Sequence, residues 1–316
     1  MSDGGYQAAR EGAAFVHLEE RGVLEATGPL RQKFLQGMLS NDVAGLRAGQ
    51  GCRAARLDVK GHVQSLMRVL VTSDTVLLEM PQARVAPVEA ILNHHKVAAP
   101  VRFKAKATTI LGLLGPAARD VLQRAGATVP ALAAEEHLAV EIAGQPAIAI
   151  AAGDLPAGGI ALQVDAGAAA AVAAALTEAG AEGLEPNALD ALRIEEGRAW
   201  FGPDVSDENL LHETGQVAEY VSFSKGCYVG QEVVARLDAR GGNVNKALRG
   251  LRLEAASVAG TVLVAGDKDI GRVTTAAVSP RLGPIALAFV HRSHFEPGTV
   301  LDAGGVRATV ASLPLG

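Results

Sequence analysis

Cysteine is nearly absent: two residues, Cys52 and Cys227, in a chain of 316. That is too few for a disulfide framework, and neither lies in a Cys-x-x-Cys or Cys/His spacing that would hold zinc. Aromatic residues make up 3% of the chain, so a core must be built from Ala, Val, Leu and Ile. Positive charge is also scarce. A net charge of -5 gives no general attraction to phosphate backbones or anionic lipid, which argues against a direct nucleic-acid or membrane partner. The one basic stretch (Arg236, Arg240, Lys246, Arg249, Arg252) reads as a solvated helix and loop. No run approaches the roughly 18 apolar residues of a membrane span. The start, "MSDGGYQAAREGAAF", carries acids where a secretion signal needs a basic beginning. A soluble, cytoplasmic, monomeric protein is expected. Metal ligands are missing too: His94 and His95 point apart on a helix, and His291 and His294 have no carboxylate cluster beside them. Neither "DARGG" nor "AGG" fits a GxGxxG or phosphate-loop pattern.

What the chain has is length and 49% hydrophobic content, enough for two or three units of roughly 100–200 residues each. "GPLRQKFLQGMLSNDV" places Leu30, Phe34, Leu35 and Met38 at helical spacing. "CRAARLD" and "HVQSLMRVLVT" read as strands around a turn at Lys60–Gly61, followed by a strand "TVLLEM", a helix over Pro87–Lys96 and a strand "VRFKA". Residues 108–180 read as strand, helix, strand, strand, helix, the last being the Ala-rich 167–179. "NALDALRIEEG" predicts a helix stopped by Gly197, and "GQEVVARLDAR" a helix stopped by Gly241–Gly242. From Lys246 onward, short β-rich runs divided by Gly, Pro and Asp turns suggest a small antiparallel barrel or sandwich. The fold class is therefore α+β, with one module over 1–242 and a small antiparallel β unit, barrel or sandwich, over 243–316.

Two features carry candidate chemistry. In "SKGCYVGQEVVARLDARGG", Cys227 precedes a helix and lies near Lys225, and both would favour thiolate over thiol; Gly226 frees the backbone beside it. The competing reading is a small apolar residue packed beneath a tight turn. Glu195 and Glu196 end a helix, where carboxylates oppose the helix dipole by roughly 0.3–1 kcal/mol. Such a position suits a carboxylate that grips an N–H-rich ring.

The segment "KGCYVGQE", 225–232, resembles the signature of the YgfZ-type folate-binding proteins associated with iron–sulfur cluster assembly. "FLQGMLSNDV" at 34–43 resembles another segment of that family. "LRIEEGRAWFGPDV" and "GRVTTAAVSPRLGPIALAFV" resemble both it and its relative, the glycine-cleavage T-protein or aminomethyltransferase. The resemblance implies a folate-binding module of two interleaved α+β subdomains followed by a small barrel, with tetrahydrofolate or a one-carbon derivative in a central cavity. It places the pterin-gripping glutamate of an R-x-E-x-G segment on Glu195 and a cavity-side N-D-V segment on Asn41, Asp42 and Val43. Gly226 and Tyr228 of the cysteine motif join the expected cofactor-binding set, and Cys227 and Lys225 the catalytic one. No stably bound metal or cluster is expected, since two cysteines fall short of the usual four ligands.

Two departures accompany the resemblance. Gln64 and Ser65 stand where the aminomethyltransferases carry acids, and Leu211 replaces a proline before Glu213. Without a carboxylate at 64 or 65 the amine-activation step lacks its partner there, so a glycine-cleavage aminomethyltransferase is not expected. The implied function is a tetrahydrofolate-binding accessory protein that assembles or repairs iron–sulfur clusters in client enzymes, some of which modify tRNA. The alternatives are a folate-dependent one-carbon transferase acting on an unknown amine, and a noncatalytic interaction module.

Overall fold

The computed structural model describes residues 3–316; Met1 and Ser2, where the expected first module begins, lie outside the described residues. Eleven strands build the larger part of the molecule: β1 (Ala14–His17), β2 (Arg21–Thr27), β3 (Gly51–Leu57), β4 (Val63–Val71), β5 (Thr75–Pro81), β6 (Arg102–Lys106), β7 (Thr108–Leu114), β8 (His137–Ile142), β9 (Gln145–Ala151), β10 (Ile160–Asp165) and β11 (Glu182–Gly183). They form a five-stranded sheet ordered β3-β4-β5-β2-β6 and a six-stranded sheet ordered β11-β1-β7-β10-β9-β8. Consecutive β1 and β2 fall in different sheets, so the chain crosses between them and the two halves interleave. Six more strands, β12 (Lys246–Leu253), β13 (Val262–Ala265), β14 (Lys268–Ser279), β15 (Gly283–His291), β16 (Val300–Ala303) and β17 (Arg307–Ala311), close into an antiparallel barrel.

Local chemistry accounts for most of these elements. In the β3–β4 hairpin, Asp58 Oδ1 accepts the amides of Lys60 (2.8 Å) and His62 (2.9 Å), while Gly61 takes φ +81°. An Asx turn followed by a left-handed glycine is the standard way to reverse the chain here. Helix α1 (Tyr6–Glu11) precedes the first strand, and α2 (Arg31–Met38) buries Leu35 and Met38 of the expected stripe, while Phe34 is half-buried and Leu30, its N-cap, is exposed. Helix α3 (Gln82–His95) begins five residues before Pro87. Its buried stripe Val85, Val88, Leu92 starts ahead of the proline, and this packing outweighs the lost backbone donor.

Between 108 and 180 the structure has three strands, not two, between helices α4 (Ala118–Arg124) and α5 (Ala169–Glu178). The missed boundary is the Ala143–Gly144 hairpin between β8 and β9, where alanine rather than Asn or Asp takes positive φ. Helix α6 (Pro186–Glu195) opens with proline at its first turn, and Gly197 follows its end at φ +71°. A Cβ on Gly197 would sit 2.9 Å from the Leu313 Cβ, so both conformation and space call for glycine. The loop-rich stretch after it holds a 3-10 turn and the short α7 (Val217–Tyr220). Helix α8 begins at Gln231 and ends at Asp238, with Gly230 as its N-cap at φ +86°. No helix among the described residues is long and apolar enough to cross a membrane.

Several buried polar atoms among the described residues have no hydrogen-bond partner, and a guanidinium on β3 is among them. Arg56, on β3, is 4% exposed, and its Nε and Nη1 meet no acceptor; burial lowers its pKa. Desolvating a cation without pairing it costs stability. Arg56→Met should therefore raise the unfolding free energy by about 1–3 kcal/mol in urea denaturation; a loss of stability would show that the guanidinium is paired in solution.

Candidate active site

A cavity of about 730 Å3 opens where the two sheets, α6 and the barrel meet. Its floor is a set of buried charges. Arg68 of β4 reaches Glu79 of β5 (2.5 Å), Glu135 (2.6 Å) and Asp154. Arg21 of β2 bridges Glu79 (3.0 Å) and Asp154 (2.5 Å), and Gln163 of β10 donates to the other Glu79 oxygen at 2.7 Å. Arg53 of β3 joins Glu135 (3.3 Å) to Glu219 (2.5 Å). The network spans both sheets, because the β2–β5 residues belong to one and Gln163, with the loops around β8–β10, to the other.

Burial alone would raise the Asp154 carboxyl, but Arg21 and Arg68 hold it well below the usual carboxylate range. Glu135 goes the other way: its burial outweighs Arg68 and Arg53, and its pKa rises. Tyr220, which lines the cavity, is pushed up to about 12 chiefly by burial and then by Asp154, so it stays a hydroxyl donor. Asp154 is accordingly a fixed negative charge, unsuited to taking protons near neutrality.

The opposite wall combines π faces with cations. Trp200, the one tryptophan, lies 4.9 Å from the Arg21 guanidinium and 5.2 Å from that of Arg193, and Arg53 lies 5.3 Å from the Tyr220 ring. Arg193 of α6 is locked by Asp190 (2.7 Å), Asp204 (2.5 Å) and Thr275 (2.8 Å). A bulge in β14 puts Thr274 and Thr275 side by side, and both hydroxyls donate to Asp204 Oδ1 at 2.7 Å. This clamp seats the barrel against the cavity. Asp190 uses only Oδ1 on Arg193, leaving Oδ2 on a residue of the cavity wall.

The residues expected from the sequence lie elsewhere. Glu195 is buried and does not line the cavity. Its Oε1 accepts Tyr6 (2.7 Å) and Ser279 (2.5 Å), and its Oε2 accepts Arg10 (3.3 Å) and Arg281 (3.1 Å). All its acceptor positions are taken by these four donors, so none is free here for the expected pterin ring; it ties α1, α6 and the barrel together. Asn41 donates to the Arg53 carbonyl at 2.8 Å, and Asp42 Oδ1 accepts Gln36 at 3.0 Å. Both organise the turn after α2, behind β3 rather than within the cavity. Gln64 and Ser65 also stay off the cavity wall.

The cysteine motif runs past the open edge of β3, where Gly230 lies against Leu57 and Asp58. Lys225 does not serve Cys227. Its Nζ caps α2 by donating to the carbonyls of Gln36 (2.5 Å) and Leu39 (2.6 Å) and sits 4.9 Å from the Tyr228 ring. Burial pulls its pKa down to about 8. Tyr228 is buried and lifted to about 12, packed with Leu57 and Val234 rather than lining the cavity. Gly226 needs no special conformation, as its φ is not positive and a Cβ there would meet nothing. Cys227 is exposed and sits three residues ahead of the α8 N-cap, too early for the helix dipole to act on it. It does not face the cavity. Cys52 is the screened thiol: burial pushes it up to about 12.

The geometry agrees with what related chains show. Residues 3–225 match the GCVT N-terminal domain, and residues 246–315 the glycine cleavage T-protein C-terminal barrel domain. An aminomethyltransferase of Streptomyces avermitilis is 31% identical over 92% of this chain and 82% of that protein. One from Saccharopolyspora erythraea is 30% identical over 98% of this chain and 88% of that protein. The crystal structure of the glycine cleavage system aminomethyltransferase T from Bartonella henselae superposes with a TM-score of 0.87 at 22% identity, covering 99% of this chain and 88% of that one. The chain belongs to the glycine-cleavage T-protein family, and its fold is the mixed α+β module with a closed barrel that this family carries.

Two outcomes follow. Arg68→Met takes the shared cation from three buried carboxylates, leaving Arg21 and Arg53 to balance them, and should destabilise the fold by about 3–5 kcal/mol in urea titration; a change under about 1 kcal/mol would mean that the network is hydrated. Alkylation of the native protein at pH 7.5 should modify Cys227 and spare Cys52 by peptide mass mapping, because only Cys227 is exposed and the Cys52 thiol resists ionisation. Equal labelling of both would contradict this placement.

Proposed function

We propose that the protein binds a reduced folate in the central cavity and handles a one-carbon unit whose other carrier is an amine. The observation that carries this reading is the free Asp190 Oδ2 on the wall of a half-open cavity lined by aromatic and guanidinium faces. A carboxylate oxygen accepts the N–H edge of a pterin, and charge-assisted bonds of that kind are the stronger ones. Trp200 with Arg21 and Arg193 offers flat cationic surfaces suited to a conjugated ring. The volume of about 730 Å3 falls in the ordinary range for such ligands.

A reduced folate, when bound, supplies the one-carbon chemistry. The chain's own contributions are orientation by Asp190, a protonated hydroxyl at Tyr220 and a fixed negative potential from Asp154. Relatives named aminomethyltransferase support a transferase over a purely accessory role. With Gln64 and Ser65 in place of acids, the amine differs from the glycine-cleavage substrate.

The exposed Cys227 in "KGCYVGQE" supports a second reading, an accessory protein for iron–sulfur enzymes that contacts its clients through the motif. The two readings separate on one residue. In the transferase, Cys227→Ser leaves folate binding and turnover intact; in the accessory protein, it keeps folate binding and lowers iron–sulfur enzyme activity in cells.

Calorimetric titration with tetrahydrofolate tests the shared core. Saturable binding by the wild type is expected, weakened about tenfold in Asp190→Asn, equivalent to about 1.4 kcal/mol for a lost charged acceptor. Glu195→Gln should leave affinity unchanged wherever the fold survives. Absence of binding by the wild type would sink the folate reading.

A further inference from the structure

The central cavity carries more acid than base. Its cations are Arg21, Arg53, Arg68 and Arg193, and each already holds carboxylate partners. Those partners are Glu79, Glu135, Asp154, Asp190, Asp204 and Glu219, so six acids face four guanidiniums. Burial raises the pKa of Glu135, yet the balance stays negative even when that carboxyl holds a proton. None of the four guanidiniums is left over for a further anion.

The rim continues the pattern. Among the described residues, the exposed part of the cavity wall consists of Glu19, Glu20, His17, two prolines and an alanine, with no lysine or arginine. Glu19 and Glu20 form the turn between β1 and β2, where the chain crosses from one sheet to the other. Backbone bonds pin this turn at both ends: the Leu18 amide donates to the Ile110 carbonyl at 2.8 Å, and the Gln82 amide to the Glu20 carbonyl at 2.6 Å. The adjacent Arg21 points inward, to Glu79 and Asp154, and so does not neutralise the turn. Low-dielectric walls carrying one sign of charge focus the field at such an opening.

We infer that the cavity selects a reduced folate with a single glutamate over its polyglutamylated forms, and that Glu19 and Glu20 set this preference. The inference rests on the folate reading above and specifies which form of that ligand the site takes. Each added γ-glutamyl unit brings one more carboxylate. A lengthening tail leaves the cavity past two fixed carboxylates and no free cation, so every unit adds repulsion and no new pairing. Because the opposing charges are exposed, salt screens the effect.

The test is calorimetric titration of the full chain with tetrahydrofolate bearing one glutamate and, separately, five. At about 20 mM ionic strength the pentaglutamate should bind about tenfold more weakly, and at about 200 mM the gap should shrink below about threefold. Glu19→Gln combined with Glu20→Gln should close most of the gap at low salt, and Glu19→Lys combined with Glu20→Lys should reverse it. Both residues are exposed, so neither pair of changes disturbs the core. Equal or tighter binding of the pentaglutamate by the wild type, or a gap that survives in the lysine variant, would overturn this inference while leaving the folate reading intact. Binding of neither form would overturn both.

Discussion

The structure depends first on the buried guanidinium of Arg68. Its nitrogens reach three carboxylates contributed by β5 and by the loops around β8–β10, so one side chain crosses from one sheet to the other. A buried charge tolerates no loose geometry, because any partner that moves away leaves an unpaired ion in a poor solvent. The two sheets are therefore held at a set spacing, and the cavity is the room that this spacing leaves. Arg21 and Arg68 keep Asp154 ionised, while burial first and Asp154 second keep Tyr220 protonated, so the network that shapes the cavity also bears on its electrostatics.

Helix α6 distributes the remaining roles by phase. Asp190 and Arg193 stand one turn apart and face the cavity and the Asp204–threonine clamp. Glu195, two residues further on, is rotated by about 200° from Arg193, which points it at α1 and the barrel instead. There it collects Tyr6, Arg10, Ser279 and Arg281, and its carbonyl accepts the Leu315 amide at 2.7 Å near the C-terminus. One helix thus separates a cavity-facing carboxylate from a structural one within six residues.

How far these roles were legible varies with the range of the forces involved. Strands and helices followed from apolar spacing and turn residues, which act over a few positions; the Ala143–Gly144 hairpin escaped because alanine signals no turn. A β-rich C-terminal unit was readable from its closely spaced short runs, whereas the choice of barrel over sandwich came from the family resemblance and is settled by the strand pairing. The site was not. Arg68 in "LMRVLV" and Glu79 in "VLLEMP" did leave a trace, charged residues inside otherwise apolar strands, which points to buried partners without naming them. Asp154 and Glu135, in loops, left none.

Resemblance of motifs pointed to the family, and the family matches agree, yet it attached function to Glu195 and to the cysteine segment, where the structure finds a fully bonded clamp, a capping lysine and a solvent-facing thiol. Composition and local pattern determined the α+β class, most of the helices and strands and the β-rich character of the C-terminal unit, because backbone hydrogen bonding and side-chain alternation are short-range. Which carboxylate faces the cavity, which thiol is screened and which arginine holds the sheets apart were decided only by packing. Those identities depend on residues more than sixty positions apart meeting in a low-dielectric interior, as Arg68 meets Glu135 and Asp154.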